Sequence, residues 1–353
     1  KLWAFLMGCV LQERGVVFVC PDYRNFPQGQ APDMVRDVAE ALKWAQANAA
    51  LLGGDPKNMT LVGQSAGAHL VLMCLIEAAE LEAAQGGAGA AMAGVSGRPH
   101  SPRHRRELHD APGENTAGGQ AVYPADAEWG RGLSMAGIRR CVGVSGPYDL
   151  EALADKLAAR GLPRGLLQAL MGDLLHQSPV CRVRRMTPTS LRRLPPVILY
   201  HGTADLTVPC AQVSVVQLCA LVLLFAQHRG KRASSETWRV HESPSACCQD
   251  GDATACSTQT TEMAATLQAA GARVSVELFQ GKSHTDPILE DPGELGALGG
   301  PDPLLQALLS HIFATSAECV TERVGTGAGG LPSWLPACVV VPCVRVARRL
   351  NPF

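Results

Sequence analysis

The sequence predicts an α/β domain built on a mostly parallel sheet with helices on both faces, and three observations lead there. Short apolar, β-rich runs alternate with stretches of helical period; the runs end in glycine or in a Pro-Asp turn; and two long polar tracts interrupt the rhythm without a period of their own. Of the 353 residues, 46% are hydrophobic, enough to bury a core of that size, so residues 1–353 are read as a single domain.

The first strand is expected in "GVVFVCPDYR" (15–24), an apolar run closed by Pro-Asp as a buried parallel strand would be. A helix follows over "APDMVRDVAEALKWAQANAALLGG" (31–54), with Met34, Val35, Val38, Leu42 and Ala45 at helical spacing and a Gly-Gly stop. "MTLVGQ" (59–64) reads as the next strand and "AGAHLVLMCLIEAAELEAA" (66–84) as a largely apolar helix. Three further strands are expected in "IRRCVGVSG" (138–146), "PPVILYHG" (195–202) and "ARVSVELFQG" (272–281). Residues 85–136 and 228–260 are polar or Gly/Ala-rich and read as disordered insertions. The basic run "RPHSPRHRRELH" inside the first reads as a solvated loop.

Charge and cysteine content narrow the function classes. Thirty-one Lys and Arg against 32 Asp and Glu give a net charge of −1, which supplies no field for nucleic acid or anionic lipid. The 13 cysteines are an odd number without CxxC pairs or zinc-type spacing, so they read as small apolar fillers rather than a disulfide framework or a metal site. The longest apolar stretch, residues 213–226, is shorter than the roughly 18–20 residues that span a bilayer.

The chemistry is concentrated around "MTLVGQSAGAHL" (59–70). Its Gly-Gln-Ser-Ala-Gly lies between a strand and a helix, the context in which Ser65 occupies a strained turn with its hydroxyl lifted clear of the sheet. Gly63 and Gly67 keep side chains out of that tight elbow, and the N–H of Ala66 is placed to donate to an oxyanion. A serine needs a base, and the base an orienting acid. Asp205 follows the strand 195–202 and His284 follows the strand 272–281, so the chain order Ser65, Asp205, His284 is that of α/β-hydrolases. No step of this chemistry calls for a cofactor or a metal ion. The rivals are His69 on the elbow helix, His201 at a strand end nearer the acid position, Asp149 as another acid, and Asp286, too close in sequence to His284 to fit the order.

At this point a family resemblance becomes specific. "DYRNFPQG" (22–29), "DMVRDVAEALKW" (33–44), "GGDPKNMTLVGQSAGAHL" (53–70), "SGPYDL" (145–150), "LPPVILYHGTADLTVPC" (194–210) and "GKSHTDPILEDP" (281–292) together resemble the isoprenylcysteine α-carbonyl methylesterases. These are α/β-hydrolases similar to the kynurenine formamidase and hormone-sensitive-lipase branches. The likeness covers roughly residues 3–80, 138–212 and 263–314 and the closing "RLNPF"; the two insertions have no counterpart. It implies a substrate, the methyl ester of a C-terminal prenylated cysteine, and an endoplasmic reticulum or Golgi membrane location through N-terminal regions. A general carboxylesterase, an arylformamidase and a non-catalytic fragment remain the alternatives. The family's His-Gly-Gly stretch, which supplies further oxyanion donors, is absent ahead of "KLWAF"; losing one such donor costs about 10²–10³ in kcat, so a catalytically impaired fragment is an expectation too. Gln64, Tyr148, Trp44 and the apolar run 213–226 are candidates for the substrate wall, with plain core packing as the alternative for the aromatics.

Overall fold

The computed structural model describes residues 2–92, 133–203, 205, 221–226, 254–284, 286 and 303–313. Six strands form one sheet: β1 (Val16–Val19), β2 (Met59–Gln64), β3 (Ile138–Val144), β4 (Val197–Gly202), β5 (Leu221–Ala226) and β6 (Val274–Phe279), in the order β1-β5-β2-β3-β4-β6. The pairs β2–β3, β3–β4 and β4–β6 are parallel, while β5 runs antiparallel to both β1 and β2.

Alternation along the central strands explains why helices cover both faces. Met59, Leu61, Cys141, Val197 and Leu199 point to one side, into a core shared with α2 (Ala31–Asn48) and α3 (Ala66–Met92). Val62, Val142, Val144, Ile198 and Tyr200 point to the other, against α1 (Leu2–Glu13) and α10 (Pro303–Phe313). Every residue of β2 and β4 is buried, as continuous apolar runs in a doubly covered sheet require. A third, smaller cluster joins α4 (Leu150–Ala159), α5 (Arg164–Met171) and α6 (Leu174–Gln177), while the short α7 (Pro179–Val183) and α8 (Pro188–Leu191) pack into the first core. The arrangement is that of an α/β-hydrolase fold.

Helix α2 follows its sequence pattern. Met34, Val35, Val38, Leu42 and Ala45 are all buried, and a capping box between Gln30 and Asp33 fixes its start. It ends at Asn48, before the Gly-Gly pair, because residues 49–54 close as hydrogen-bonded turns with Gly53 at φ 82°.

The structure corrects the expected insertions at three places. Helix α3 continues to Met92 instead of stopping at residue 84, its alanines offsetting glycines that each disfavour a helix by about 1 kcal/mol. Residues 133–137 are also ordered: Ser134 exchanges hydrogen bonds with Gln46, and Leu133 and Met135 are buried. Helix α9 (Thr254–Ala269) begins inside the tract read as disordered to 260, and Gln259 and Thr260 are buried in it. The rest of both tracts lies outside the described residues. Outside both tracts, part of the run 213–226 is β5: "LVLLFA" is the continuous apolar signature of an inner strand, and it pairs on both sides.

Helix α1 carried no reading from its sequence; its Met7, Val10 and Leu11 are buried under β1 and α10. Two cysteines, Cys74 and Cys141, are buried in the main core, where burial pushes their thiols up, Cys141 to about 12. They pack as small apolar groups.

Candidate active site

The parallel strands deliver their carboxyl ends to one rim of the sheet. Register pairs Gln64 with Val144 and Val144 with Tyr200, so the next residues, Ser65, Ser145 and His201, stand in a row across β2, β3 and β4. The backbone N–H of Ser65 donates to the Val144 carbonyl at 2.8 Å, and that of Ser145 to the Tyr200 carbonyl at 2.8 Å.

Ser65 sits between β2 and α3 with φ at 56°, in the left-handed region that a serine enters only under constraint. Gly63 is what permits the elbow: a Cβ there would lie 2.3 Å from the Gly67 carbonyl oxygen. Ser65 and Ala66 are partly exposed in an otherwise buried stretch. Ala66 opens α3, so its N–H has no carbonyl of its own helix to bond, and the positive end of the helix faces the same point.

Asp205 and His284 are brought together from positions 79 residues apart. Asp205 Oδ2 and His284 Nδ1 are 2.8 Å apart, and both side chains are buried. The carboxylate accepts from the imidazole, which fixes Nδ1 as the protonated nitrogen and leaves Nε2 with a free lone pair. Gly202 makes the approach possible, since a Cβ there would meet the Lys282 carbonyl oxygen at 2.1 Å. Gln64 joins the two halves of the site: its Nε2 donates to the His284 carbonyl at 2.9 Å, tying the histidine's loop to the residue before Ser65. Gln64 is 2% exposed, so it braces the loop and does not form a substrate wall.

The rivals have other employment. His69 is fully buried on α3, its ring nitrogen Nε2 is 2.7 Å from the Gln177 carbonyl, and burial pushes its pKa down to about 4. Asp149 caps α4 by accepting from the N–H groups of Glu151 and Ala152. Asp286 accepts from the Ser283 N–H at 2.7 Å, within the His284 turn. His201 lies at the site itself, with Nε2 3.5 Å from Asp205 Oδ2.

Tyr148, expected on the substrate wall, is buried completely in the main core, where its hydroxyl fills the space left by Gly143 and Gly146. Trp44 is 54% exposed on the outer face of α2. Of the apolar run, residues 213–220 lie outside the described residues. Sequence reasoning missed Ser145, whose φ of 50° repeats that of Ser65 and whose buried hydroxyl has no hydrogen-bond partner among the described residues. It also missed Gln259, whose Oε1 accepts from the N–H groups of Tyr148 and Asp149 at 2.7 and 2.8 Å. The strand-end serine in "VGVSG" echoes "VGQSAG" and was a usable signal; a glutamine in a Thr-rich tract was not.

Comparison with known proteins places this geometry in context. The BD-FAE family model matches residues 6–218. The chain is 28% identical to the isoprenylcysteine alpha-carbonyl methylesterase of Arabidopsis thaliana, over 100% of this chain and 60% of that protein. It is also 28% identical to a protein of Oryza sativa subsp. japonica named "Probable isoprenylcysteine alpha-carbonyl methylesterase", over 100% of this chain and 62% of that one. The chain therefore spans about three fifths of the length of these relatives. Among solved structures, a thermophilic esterase of Thermogutta terrifontis aligns with a TM-score of 0.38 and 19% identity, covering 82% of this chain and 66% of that one.

Proposed function

The chain belongs to the BD-FAE family, and on that footing we propose that it is a serine carboxylesterase acting through Ser65, His284 and Asp205 on the methyl ester of a C-terminal prenylated cysteine. The observation that carries the catalytic part is the buried 2.8 Å pair of Asp205 and His284, tied through Gln64 to the strained elbow of Ser65. The substrate is supported by the two plant relatives, each named as an isoprenylcysteine methylesterase.

In this reading Ser65 Oγ attacks the ester carbonyl carbon while its proton passes to His284 Nε2. The carbonyl oxygen becomes an oxyanion and takes a hydrogen bond from the Ala66 N–H at the start of α3. Asp205 holds the imidazole in its reactive tautomer and stabilises its positive charge. The tetrahedral intermediate collapses, the C–O bond to the methoxy group breaks, and methanol leaves with the proton from His284. A water molecule then gives a proton to His284 and attacks the acyl-enzyme, releasing the free carboxylate and restoring the Ser65 hydroxyl. A prenyl chain partitions into bilayers, so we extend the proposal to a substrate met at endoplasmic reticulum or Golgi membranes. Among the described residues no helix is long and apolar enough to cross a membrane.

The test compares turnover of a prenylcysteine methyl ester, N-formylkynurenine and a short p-nitrophenyl ester by the full-length protein. Preference for the first, with Ser65→Ala and His284→Ala inactive on all three and folded, is the expected result. Equal or better turnover of the others would make it a general carboxylesterase or an arylformamidase. Turnover retained in Ser65→Ala would remove the serine mechanism.

A further inference from the structure

Asp205 faces two imidazoles. Its Oδ2 lies 2.8 Å from His284 Nδ1 and 3.5 Å from His201 Nε2, and both His201 and Asp205 are excluded from solvent. The ring of His201 is held from its far side by Thr260 on α9, with Nδ1 2.8 Å from the hydroxyl oxygen. The two contacts select one tautomer. With the proton on Nε2, Nδ1 accepts from the Thr260 hydroxyl and the N–H dipole points its positive end at the carboxylate; with the proton on Nδ1, a lone pair would face Asp205. Burial, and the proximity of His284, lower the pKa of His201, while Asp205 opposes them. Asp205 and His284 are the charged groups whose fields act on it; Lys282 packs by backbone and Cβ against the neighbouring Gly202, Ser145 stands beside it beyond the end of β3, and Leu278 pairs with it on β6. At 3.5 Å the N–H makes no full hydrogen bond, but between two buried side chains its dipole still acts on the carboxylate.

We infer that His201 is a positioning residue of the esterase: its neutral ring, clamped by Thr260, presents Nε2–H to Asp205 and keeps that carboxylate aligned on His284. The inference rests on the hydrolase reading above. Its chemical consequence has a definite sign. A donor aimed at Asp205 withdraws part of the negative charge that faces His284; without it, the carboxylate holds the imidazolium of residue 284 more strongly.

The experiment uses three variants in the full-length protein: His201→Gln, whose amide places an N–H near the position of Nε2; His201→Leu, which has none; and Thr260→Val, which keeps the volume and removes the clamp. Ser65→Ala is assayed beside them, and thermal melts verify that each is folded. For His201→Leu, kcat falls about tenfold with KM little changed, because a misaligned base costs rate at the chemical step. The acid limb of kcat/KM moves up by about half a pH unit. His201→Gln restores both in large part, and Thr260→Val shifts the limb in the same direction by less. The downfield resonance of the His284 Nδ1 proton, read without substrate, moves in His201→Leu and returns in His201→Gln.

Inactive Ser65→Ala beside a His201→Leu variant with wild-type kcat and pH profile would overturn this inference alone. So would His201→Gln falling as far as His201→Leu with the limb and resonance unmoved, which marks a packing role. Equal turnover by the wild type and Ser65→Ala would overturn the hydrolase reading, and His201's place in it with it. Should His201→Leu fail to fold, Thr260→Val and the Gln variant decide: unaltered pH limbs in Thr260→Val, with His201→Gln slowed, sink the proposal.

Discussion

The sheet has two halves made of similar apolar runs and put to different use. In β2, β3, β4 and β6 all strands point one way, so their carboxyl ends gather at one rim and carry Ser65, Ser145, His201, Asp205 and His284. β5 alone runs against the others, between β2 and the edge strand β1, and among the described residues no residue of the candidate site comes from β1 or β5. Hydrophobicity fills both parts equally well; reversed polarity turns the carboxyl end of β5 away from the rim, and the edge position of β1, with β5 between it and β2, sets it apart from the gathered ends. Substitutions in the first half should therefore strike rate before stability, and in the second stability before rate.

The largest expected effect is on the rate side. Asp205→Asn keeps the volume of the side chain but offers an amide where His284 Nδ1–H needs an acceptor, so the imidazole is held in the wrong tautomer. We expect kcat to fall by about 10³–10⁴ while the unfolding midpoint moves little, checked by steady-state kinetics and denaturant titration of the same preparation. A loss under tenfold would show that another acid orients His284.

The antiparallel half gives the stability counterpart. Leu223 pairs with Val19 on one side and with Leu61 on the other, so β5 is an inner strand. Leu223→Pro removes a ladder donor and should cost about 3 kcal/mol or more of unfolding free energy. If the folded fraction retains wild-type kcat, the two halves are separable as argued; full stability in the variant would mean that β5 is not an integral strand.

The same contrast shows what was legible beforehand. Period and apolar runs sufficed for α2, β2, β3 and β4, because their side chains bury by the simple rules of helix and strand, and the alternation of "VSVEL" sufficed for β6, a partly exposed edge strand. The elbow of Ser65 was legible because its glycines serve backbone geometry, and Asp205 and His284 because parallel strands put chemistry after their carboxyl ends. The contributions of Gln259, Thr260 and Gln64 were not. Each acts through hydrogen bonds to residues 59 to 220 positions away, which leaves no local pattern. β5 was missed for another reason: its strand lies out of chain order, and nothing in "LVLLFA" says which neighbours it will join.

A pH experiment sharpens the contrast within the parallel half, between a buried histidine that supports structure and one assigned to chemistry. His69 has a folded pKa of about 4 against an ordinary 6.5, because burial penalises its cation. The sign follows: the unfolded chain takes up the proton first, so the contribution is whole above pH 6.5 and is lost as pH falls from 6.5 towards 4. The span of about 2.5 units corresponds to about 3 kcal/mol. His69→Gln, which can still donate to the Gln177 carbonyl, should lose less stability between pH 7.5 and 4.5 by denaturant unfolding. Parallel losses in both proteins would place the acid sensitivity elsewhere.

The smallest effect separates the two candidate acids. Asp149 follows β3 as Asp205 follows β4, and from chain order alone either could serve His284. In the structure its carboxylate is committed to the start of α4, where it accepts from two backbone N–H groups at 3.0 Å each. Capping of this kind stabilises a helix by about 1 kcal/mol, so Asp149→Ala should lower unfolding free energy by that amount and leave kcat within about twofold. The same cut at Asp205 does the reverse, because a carboxylate that orients a base contributes little to the fold and much to the transition state. Should Asp149→Ala instead reduce kcat a hundredfold at unchanged stability, the acid would belong to the β3 end, and the 2.8 Å contact between Asp205 and His284 would be a structural pair beside the true one.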